Sequence, residues 1–356
     1  MKRKIKKFQQ NQKGTRLKDL CNLINSIKVK LIICILVPVL FIILLGIASY
    51  QKASGAIVKK FEEASLSAIS KTADYFNIIM MSVKGVVLEL STDSELQMYY
   101  SGDYANDPIE EKERLSDLKS KLSEKSVFNG FINNIAVLGE YGTSISTRDK
   151  LNLDAYKEFK NTREAEILDA SSGVVWSGKR EYIDQGYESK LNDYGAVIYA
   201  KAANKYNKPI GYIITDIKYS EIYNAIAELQ LGEGSINAFI ACDEREIVNI
   251  LKEDGSKADI TDNNNPIIID KDFYHEIMQG DEKEGYKYVY FNNEKHLLVY
   301  SKLDADGFLV CSLIPNAILL KQVKDIKTLT LVFVLIAVIA AIAIGTWVAS
   351  GIGSTI

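Results

Sequence analysis

Two long runs without a charged residue constrain this chain more than any other feature. The first covers residues 31–50 and the second residues 328–356. About 20 apolar residues in a helix are enough to cross a hydrocarbon core of roughly 30 Å. The sequence therefore predicts two transmembrane helices, at 31–50 and 328–349. A signal peptide is the alternative for the first run, but the run exceeds the usual apolar region of about 7 to 15 residues and no cleavage-like site follows it.

Charge is distributed very unevenly along the chain. Residues 1–30 hold ten Lys or Arg and one acid, Asp19, whereas residues 51–327 hold 33 basic and 45 acidic residues. Basic residues beside a first membrane helix favour a cytoplasmic N-terminus. We therefore expect a multi-pass plasma-membrane protein with both termini cytoplasmic and residues 51–327 extracellular. The basic arm at 1–30 suits anionic lipids of the bilayer, and the acidic outer segment disfavours nucleic-acid binding.

A long stalk helix is predicted at 51–105, directly after the first membrane helix. Its sequence has no proline, and apolar residues recur in it at alternating spacings of three and four. These residues are Leu66, Ile69, Ala73, Phe76, Met80, Val83, Val87 and Leu90. Such a stripe is typical of a coiled-coil seam or of a long packed helix. It can serve a dimer interface or pack on the chain's own domain, and the two uses are compatible.

Beyond the stalk, a charged helix precedes segments with a strand-like period of two. Strands are predicted at FINNIAVLG, GVVWSGK, YGAVIYAKAA and PIGYIITDI, followed by the helix IKYSEIYNAIAELQL. The order then restarts with a hairpin that turns at Asp243 and Glu244, a short helix FYHEIMQ, and the strands YKYVYF, KHLLVYSKL and GFLVCSLI. Strands joined by tight turns, with helices to one side, indicate antiparallel sheets in an α+β fold. The sequence therefore predicts two modules, at 106–230 and 231–327.

This order of elements resembles the double Cache (dCache) sensor domain of bacterial receptors, a tandem of PAS-like modules behind a long N-terminal helix. The likeness is carried by FINNIAVLGEYGTSIST, KPIGYIITDIKYSEI, LGEGSINAFIACDEREIV and LLVYSKLDADGFLVCSLIPNAILL. These stretches are most similar to methyl-accepting chemotaxis proteins of Gram-positive anaerobes. The closing WVASGIGSTI resembles the first residues of a HAMP linker. The resemblance implies that 350–356 begin this linker, in a receptor truncated there or represented by a sensory fragment. Module 106–230 would be membrane-distal and module 231–327 membrane-proximal.

No constellation of catalytic residues stands out in the sequence. The two histidines, His275 and His296, lack metal-binding spacing, and no phosphate-loop or nucleophile-elbow motif occurs. Cys242 and Cys311 lie in apolar, strand-like runs, and we expect buried free thiols, with a disulfide as the alternative. The sequence therefore predicts neither an enzyme nor a cofactor or metal site.

Aromatic and charged residues of the first module instead indicate a pocket for a small molecule. Such pockets are mostly apolar and aromatic, with a few fixed polar groups. The candidate ligand-binding residues are Trp176, Arg180, Tyr182, Asp184, Tyr199 and Asp216, and Tyr187 lies among them. Trp176 either covers a ligand or packs in the core. Arg180 is a candidate bidentate donor to a carboxylate.

The resemblance adds one detail to this set. In the amino-acid-binding subset of the family, an Arg-x-Trp-Tyr element holds the ligand carboxylate and a later aspartate holds its ammonium group. Asp216 resembles that aspartate. Val174 and Ser177, however, stand where the arginine and the tyrosine would be.

The resemblance thus implies the extracytoplasmic ligand-sensing and transmembrane-signalling part of a chemoreceptor. It would act as a homodimer through its N-terminal helices and bind a small molecule such as an amino acid or an organic acid. The same sensor serving a histidine kinase or a cyclase is the first alternative. The second is a structural or adhesion ectodomain, which would have no ligand pocket.

Overall fold

A computed structural model describes residues 27–187, 190–206, 208–252, 254–262 and 264–353. Most of the predicted basic arm at 1–30, and the end of the predicted linker at 350–356, lie outside the described residues. The chain divides into two compact units. One unit holds the described residues up to Phe61 and from Leu319 onward, and the other holds Glu62–Ile318.

Nine helices are present among the described residues. They are α1 (Ile27–Ser91), α2 (Ser94–Tyr100), α3 (Pro108–Phe128), α4 (Ala155–Lys160), α5 (Arg163–Ala170), α6 (Glu181–Gly186), α7 (Tyr219–Ala227), α8 (Asp272–Gln279) and α9 (Asn316–Gly353), and a 3-10 turn covers Leu191–Asp193. The strands are β1 (Ile132–Gly139), β2 (Ile145–Ser146), β3 (Val175–Ser177), β4 (Tyr194–Ala203), β5 (Pro209–Lys218), β6 (Ile236–Ile240), β7 (Glu246–Leu251), β8 (Lys257–Asp259), β9 (Glu284–Phe291), β10 (Glu294–Lys302) and β11 (Leu309–Pro315).

Helix α1 contains the first uncharged run, and α9 contains the second run as far as Gly353. Both are long and apolar enough to cross a membrane over part of their length. A Cβ atom placed on Gly46 of α1 would lie 2.6 Å from Cγ2 of Val334 in α9. The two helices therefore approach closely at a residue without a side chain, as small residues allow in membrane-helix packing.

The sheet-containing unit has two antiparallel sheets. The first has five strands in the order β2-β1-β5-β4-β3, and the second has six in the order β8-β7-β6-β11-β10-β9. The hairpin predicted at Asp243 and Glu244 is present, since β6 and β7 pair and Glu244 has a φ of 63°. The predicted α+β fold with two antiparallel sheets and a long N-terminal helix is confirmed.

The predicted stalk helix ends earlier than expected. Helix α1 stops at Ser91, and Asp93 begins α2 by accepting the backbone N–H of Leu96 at 3.0 Å on its Oδ1. An aspartate at this position satisfies an N–H group that has no partner within the helix. The predicted stalk at 51–105 is therefore two helices and a turn.

The apolar stripe of α1 packs on the chain's own domain. Seven of its eight residues are buried, and only Leu66 is half-buried. The ring of Phe76 lies 5.0 Å from that of Phe239 in β6, edge to face. Of the two uses predicted for this stripe, packing on the chain's own domain is confirmed, and its buried residues are not accessible to a partner chain.

Several short elements were not predicted. Helices α4 and α5 have six and eight residues, and β2 and β8 have two and three. Helices this short have fewer than three turns, and strands this short have fewer than two alternations between the faces of a sheet. Neither is long enough to give a periodic pattern of apolar residues. Cys242 and Cys311 are both free, and Cys311 is buried as predicted. The prediction of a buried thiol is wrong for Cys242, because this residue follows the last residue of β6 by two positions and is exposed in the turn.

Candidate ligand-binding site in the first module

Asp216 anchors a group of buried charges at one end of the first sheet. It lies near the end of β5, where alternation places it on the same face as the core residues Tyr212 and Ile214. Its neighbours on the adjoining strands are Asn134 of β1 and Val197 of β4. The side chain is 1% exposed, so the carboxylate depends on protein partners.

Arg180 supplies the main partner of Asp216. It lies directly before α6 and is 1% exposed. Its Nη1 donates to Oδ2 of Asp216, and its Nε donates to Oδ1 of Asp184 at 3.2 Å. The guanidinium also stacks over the ring of Tyr194, 4.3 Å from the centroid. One helical turn separates Arg180 from Asp184, so the Asp184 carboxylate reaches the same guanidinium that contacts Asp216.

Tyr194 joins this group through an irregularity in β4. The pairing of β4 with β5 shifts register between Tyr194 and Ala196. Such a bulge turns Tyr194 into the same core as Tyr199. The Tyr194 hydroxyl donates to Oδ2 of Asp184 and accepts the backbone N–H of Arg180 at 3.1 Å. Strict alternation would place the residue on the opposite face, which is why sequence reasoning missed it.

We call Asp149, Arg180, Asp184, Tyr194 and Asp216 the ionic cluster. Asp149 is buried and accepts from Asn134 Nδ2 at 2.8 Å, beside Asp216. Three carboxylates thus lie around the guanidinium of Arg180, and Arg148 and Arg245 lie near enough to lower the pKa of Asp216 and of Asp184, respectively. The buried Nη2 of Arg180 makes no hydrogen bond, whereas the side chain of Asn133 lowers the pKa of Asp216 by hydrogen bonding.

Burial controls the protonation of these carboxyls. It raises the pKa of Asp216 to about 7, against the lowering by Arg180 and with a further rise from Asp149. Burial also raises the pKa of Asp184, although Tyr194 and Arg180 oppose the rise. For Arg180, burial lowers the pKa, but Asp216 and Asp184 outweigh that effect and the net shift is upward. The guanidinium therefore stays charged, while Asp216 is the group that exchanges a proton near neutral pH.

A second group of predicted residues surrounds Glu164 of α5. The Tyr199 hydroxyl donates to Glu164 Oε1 at 2.6 Å, and the backbone N–H of Tyr182 donates to Oε2 at 3.0 Å. The Tyr182 hydroxyl reaches Glu158 at 3.0 Å and Tyr187 at 3.1 Å. Burial raises the pKa of Glu164. Sequence reasoning missed Glu164 because α5 is short and no pattern marks its inner face.

A shallow concavity of about 300 Å³ opens beside Glu164. Its lining residues are Thr162, Arg163, Glu164, Glu181, Tyr182, Gln185 and Gly186. No set of three His, Cys, Asp or Glu residues within the described part of the chain is grouped to hold a metal ion.

Trp176 lies apart from the ionic cluster. In β3 it pairs with Ile198 of β4. The residues on either side of that pair, Val197 and Tyr199, belong to the core of the first module. The ring of Trp176 therefore lies on the other face of the sheet, where it packs edge to face with Phe308, 6.5 Å between centroids. The structure thus brings Arg180, Asp184 and Asp216 together, places Tyr182 and Tyr199 beside Glu164, and leaves Trp176 outside both groups.

The raised pKa of Asp216 predicts an unusual dependence of stability on pH. Since the folded protein holds this proton more tightly than the unfolded chain, the associated stability is present below pH 4 and is lost as the pH rises to about 7. We expect the melting temperature of the full chain in micelles to fall over this interval, and the fall to be smaller in Asp216→Asn. Identical pH profiles of the two proteins would contradict the assignment.

The fold is shared with sensory domains of bacterial receptors. The periplasmic sensory domain of the Campylobacter jejuni chemoreceptor Tlp1 aligns over 74% of this chain and 98% of its own, at 14% identity and a TM-score of 0.51. The ligand-binding domain of the Pseudomonas aeruginosa amino-acid chemoreceptor PctC, solved with GABA, aligns over 71% and 99%, at 10% identity and 0.45. An extracellular domain assigned to the histidine kinase rpHK1S-Z16 aligns over 72% and 93%, at 10% identity and 0.46. No protein-family model and no curated protein matches the sequence.

Proposed function

We propose that this chain is the ligand-sensing and transmembrane-signalling portion of a bacterial chemoreceptor of the methyl-accepting type. The observation that carries the proposal is the ionic cluster, a group of buried charged side chains in a sensory-type fold. Two helices suited to cross a membrane adjoin that fold in sequence. A binding protein of this kind needs no catalytic groups, and the proposal assigns none.

The ligand is a small molecule held by the first module. We assign Arg180, Asp184 and Asp216 to contacts with the charged or polar groups of the ligand. Tyr182 and Tyr199 are assigned to contacts with the rest of the ligand. Amino acids and organic acids fit this mixture, because both signs of charge are present around one aromatic core. Trp176 is assigned to the opposite face of the sheet, without ligand contact.

Topology follows the distribution of charge. The basic residues before the first membrane helix support a cytoplasmic N-terminus, with residues 51–327 outside and the C-terminus cytoplasmic. Residues 350–356 are then assigned to the start of a HAMP linker. The arm at 1–30 lies against the inner leaflet.

The receptor acts as a homodimer through the outer face of α1. Ile78, Met81 and Leu88 are exposed there by 62%, 69% and 46%, and Gly85 between them has open space beside it. At the end of α3, Phe128 is 86% exposed, and the next residue, Asn129, donates to Ser82 of α1 at 3.0 Å. An apolar patch of this kind on a soluble surface is typical of an interaction site.

A thermal-shift screen tests the ligand proposal. The full chain in micelles would be heated with single amino acids, organic acids, amines and purines, each in large excess. A ligand at a hundredfold excess over its Kd stabilises by about 2.7 kcal/mol, which is several degrees for a domain of this size. We expect a hit that Asp216→Asn and Tyr199→Phe abolish and that Glu276→Gln, in the second module, retains. A hit unaffected by both first-module variants would place the site elsewhere.

A further inference from the structure

A turn of the second module inserts into the first. Residues 241–245, here called the hairpin turn, connect β6 to β7. The Ser177 hydroxyl of β3 donates to Asp243 Oδ2 at 3.1 Å, and the thiol of Cys242 donates to the backbone carbonyl of Trp176 at 3.2 Å. The two modules are therefore joined at the strand that leads to Arg180.

Arg245 makes the deepest contact of the hairpin turn. It is 2% exposed, although it belongs to a turn. Its Nη1 donates to the carbonyl of Gly178 at 2.6 Å, and its Nη2 donates to the carbonyls of Leu191 and of Tyr194, the latter at 2.7 Å. One guanidinium thus holds the backbone on both sides of α6, which only a planar fork of donors can do.

Gly178 shows how closely the two modules approach. A Cβ atom at this position would lie 2.3 Å from Asp243 Oδ1 and 2.6 Å from the Cβ of Ala241. A side chain would therefore displace the hairpin turn. The missing side chain lets the turn reach the residues beside Arg180.

The ring of Tyr194 links the hairpin turn to the ionic cluster. The guanidinium of Arg180 lies 4.3 Å from its centroid and that of Arg245 lies 4.7 Å from it. Guanidinium groups at these distances are attracted to the ring, more strongly when buried. Both guanidiniums pack on the same side chain, so a movement of Arg180 removes one of the contacts that hold the ring against Arg245.

We propose that Arg245 is a positioning residue for the first module, and that the hairpin turn couples the state of the ionic cluster to the second module. The inference deepens the proposed function and rests on it for its biological meaning. The proposal states that a coupling free energy links the ionic cluster to the hairpin turn. This coupling exists with or without a ligand.

A double-mutant cycle tests this coupling on the full chain in micelles. Cys21 and Cys34 are replaced by alanine, so that Cys242 is the exposed thiol and Cys311 the buried one. The labelling rate of Cys242 with a maleimide then reports on the hairpin turn. We expect Asp216→Asn, which does not touch the turn, to raise this rate about fivefold or more with Arg245 present. With Arg245→Gln the effect of Asp216→Asn should fall below about twofold.

Two further variants keep the test decisive. Arg245→Lys keeps the charge but cannot reach all three carbonyls, so it should weaken the effect of Asp216→Asn as glutamine does, with milder loss of stability. Asp169→Asn is the matched control, because Asp169 accepts from Tyr212 at 3.0 Å in the same module, outside the cluster. It should leave the labelling rate unchanged. Equal effects of Asp216→Asn in all Arg245 backgrounds, or no effect in any, would overturn the proposal. Since no ligand is used, a silent ligand screen does not alter this outcome.

Discussion

At pH 8, replacing Arg180 with methionine is expected to lower the free energy of unfolding by about 3–5 kcal/mol. The change leaves Asp216 and Asp184 in the protein interior without the guanidinium that both contact. At pH 5 the loss should be smaller, because Asp216 can take up a proton and become neutral. Unfolding of the full chain in micelles, followed by the fluorescence of Trp176 in a Trp347→Phe background, measures both values.

The double variant Arg180→Met with Asp216→Leu is the control for this result. Replacing both partners of a buried ion pair by apolar groups often restores stability, because no charge is left unpaired. The double variant should therefore recover the part of the loss, and of its pH dependence, that comes from Asp216, while Asp184 still lacks the guanidinium. A loss below about 1 kcal/mol in Arg180→Met alone would mean that the guanidinium is not the main partner of these carboxylates.

Phe76→Ala is expected to have a similarly large effect, a loss of about 3–5 kcal/mol. The side chain is 1% exposed and packs against Phe239, so its removal leaves a cavity between α1 and the second sheet. Because the contact lies within one chain, the loss should not depend on protein concentration. A loss that grows on dilution would instead place Phe76 in an interface between chains.

Met81 provides the matched comparison on the opposite face of the same helix. It is 69% exposed, and Met81→Glu should change the stability of one chain by less than about 0.5 kcal/mol. It should, however, shift the chain from dimer to monomer in sedimentation measurements, because the glutamate would face the apolar surface of the partner. An unchanged dimer would remove the outer face of α1 from the proposed interface.

The larger features of this fold could be predicted from the sequence because each has a long periodic signal. The two membrane-type helices follow from uncharged runs, and the long strands β4, β5 and β10 from their composition and turns. The stripe on α1 was recognised as a packing surface, but its period does not identify the partner. The same spacing suits another chain and the chain's own sheets.

The candidate site was predictable only in part. Asp216 could be found because it is a charged residue near the end of an apolar strand, in the position of the aspartate that the resemblance implies. Tyr194 could not be found. A bulge of one residue turns the side chain at this end of β4 to the other face of the sheet, and no sequence pattern indicates the bulge. Arg245 was also beyond reach, because its partners are backbone carbonyls about 50 to 67 positions away in the chain. Every residue has a backbone carbonyl, so a side chain that binds carbonyls has no partner that the sequence can identify.

The position at which the side chains of α1 become buried has a practical consequence for preparing a fragment of this protein. Glu62 accepts the hydroxyl of Tyr288 in β9 at 2.6 Å, and Ser65 and Ile69 after it are buried. A chain cut between residues 51 and 60 would therefore keep every buried side chain of α1 described here, although α9 would still tie it to the membrane. A cut after Ile69 would instead remove the first turns of helix that cover the second sheet. The N-terminal boundary of a water-soluble fragment, which must also end before the apolar part of α9, is thus set by the first buried side chain of α1.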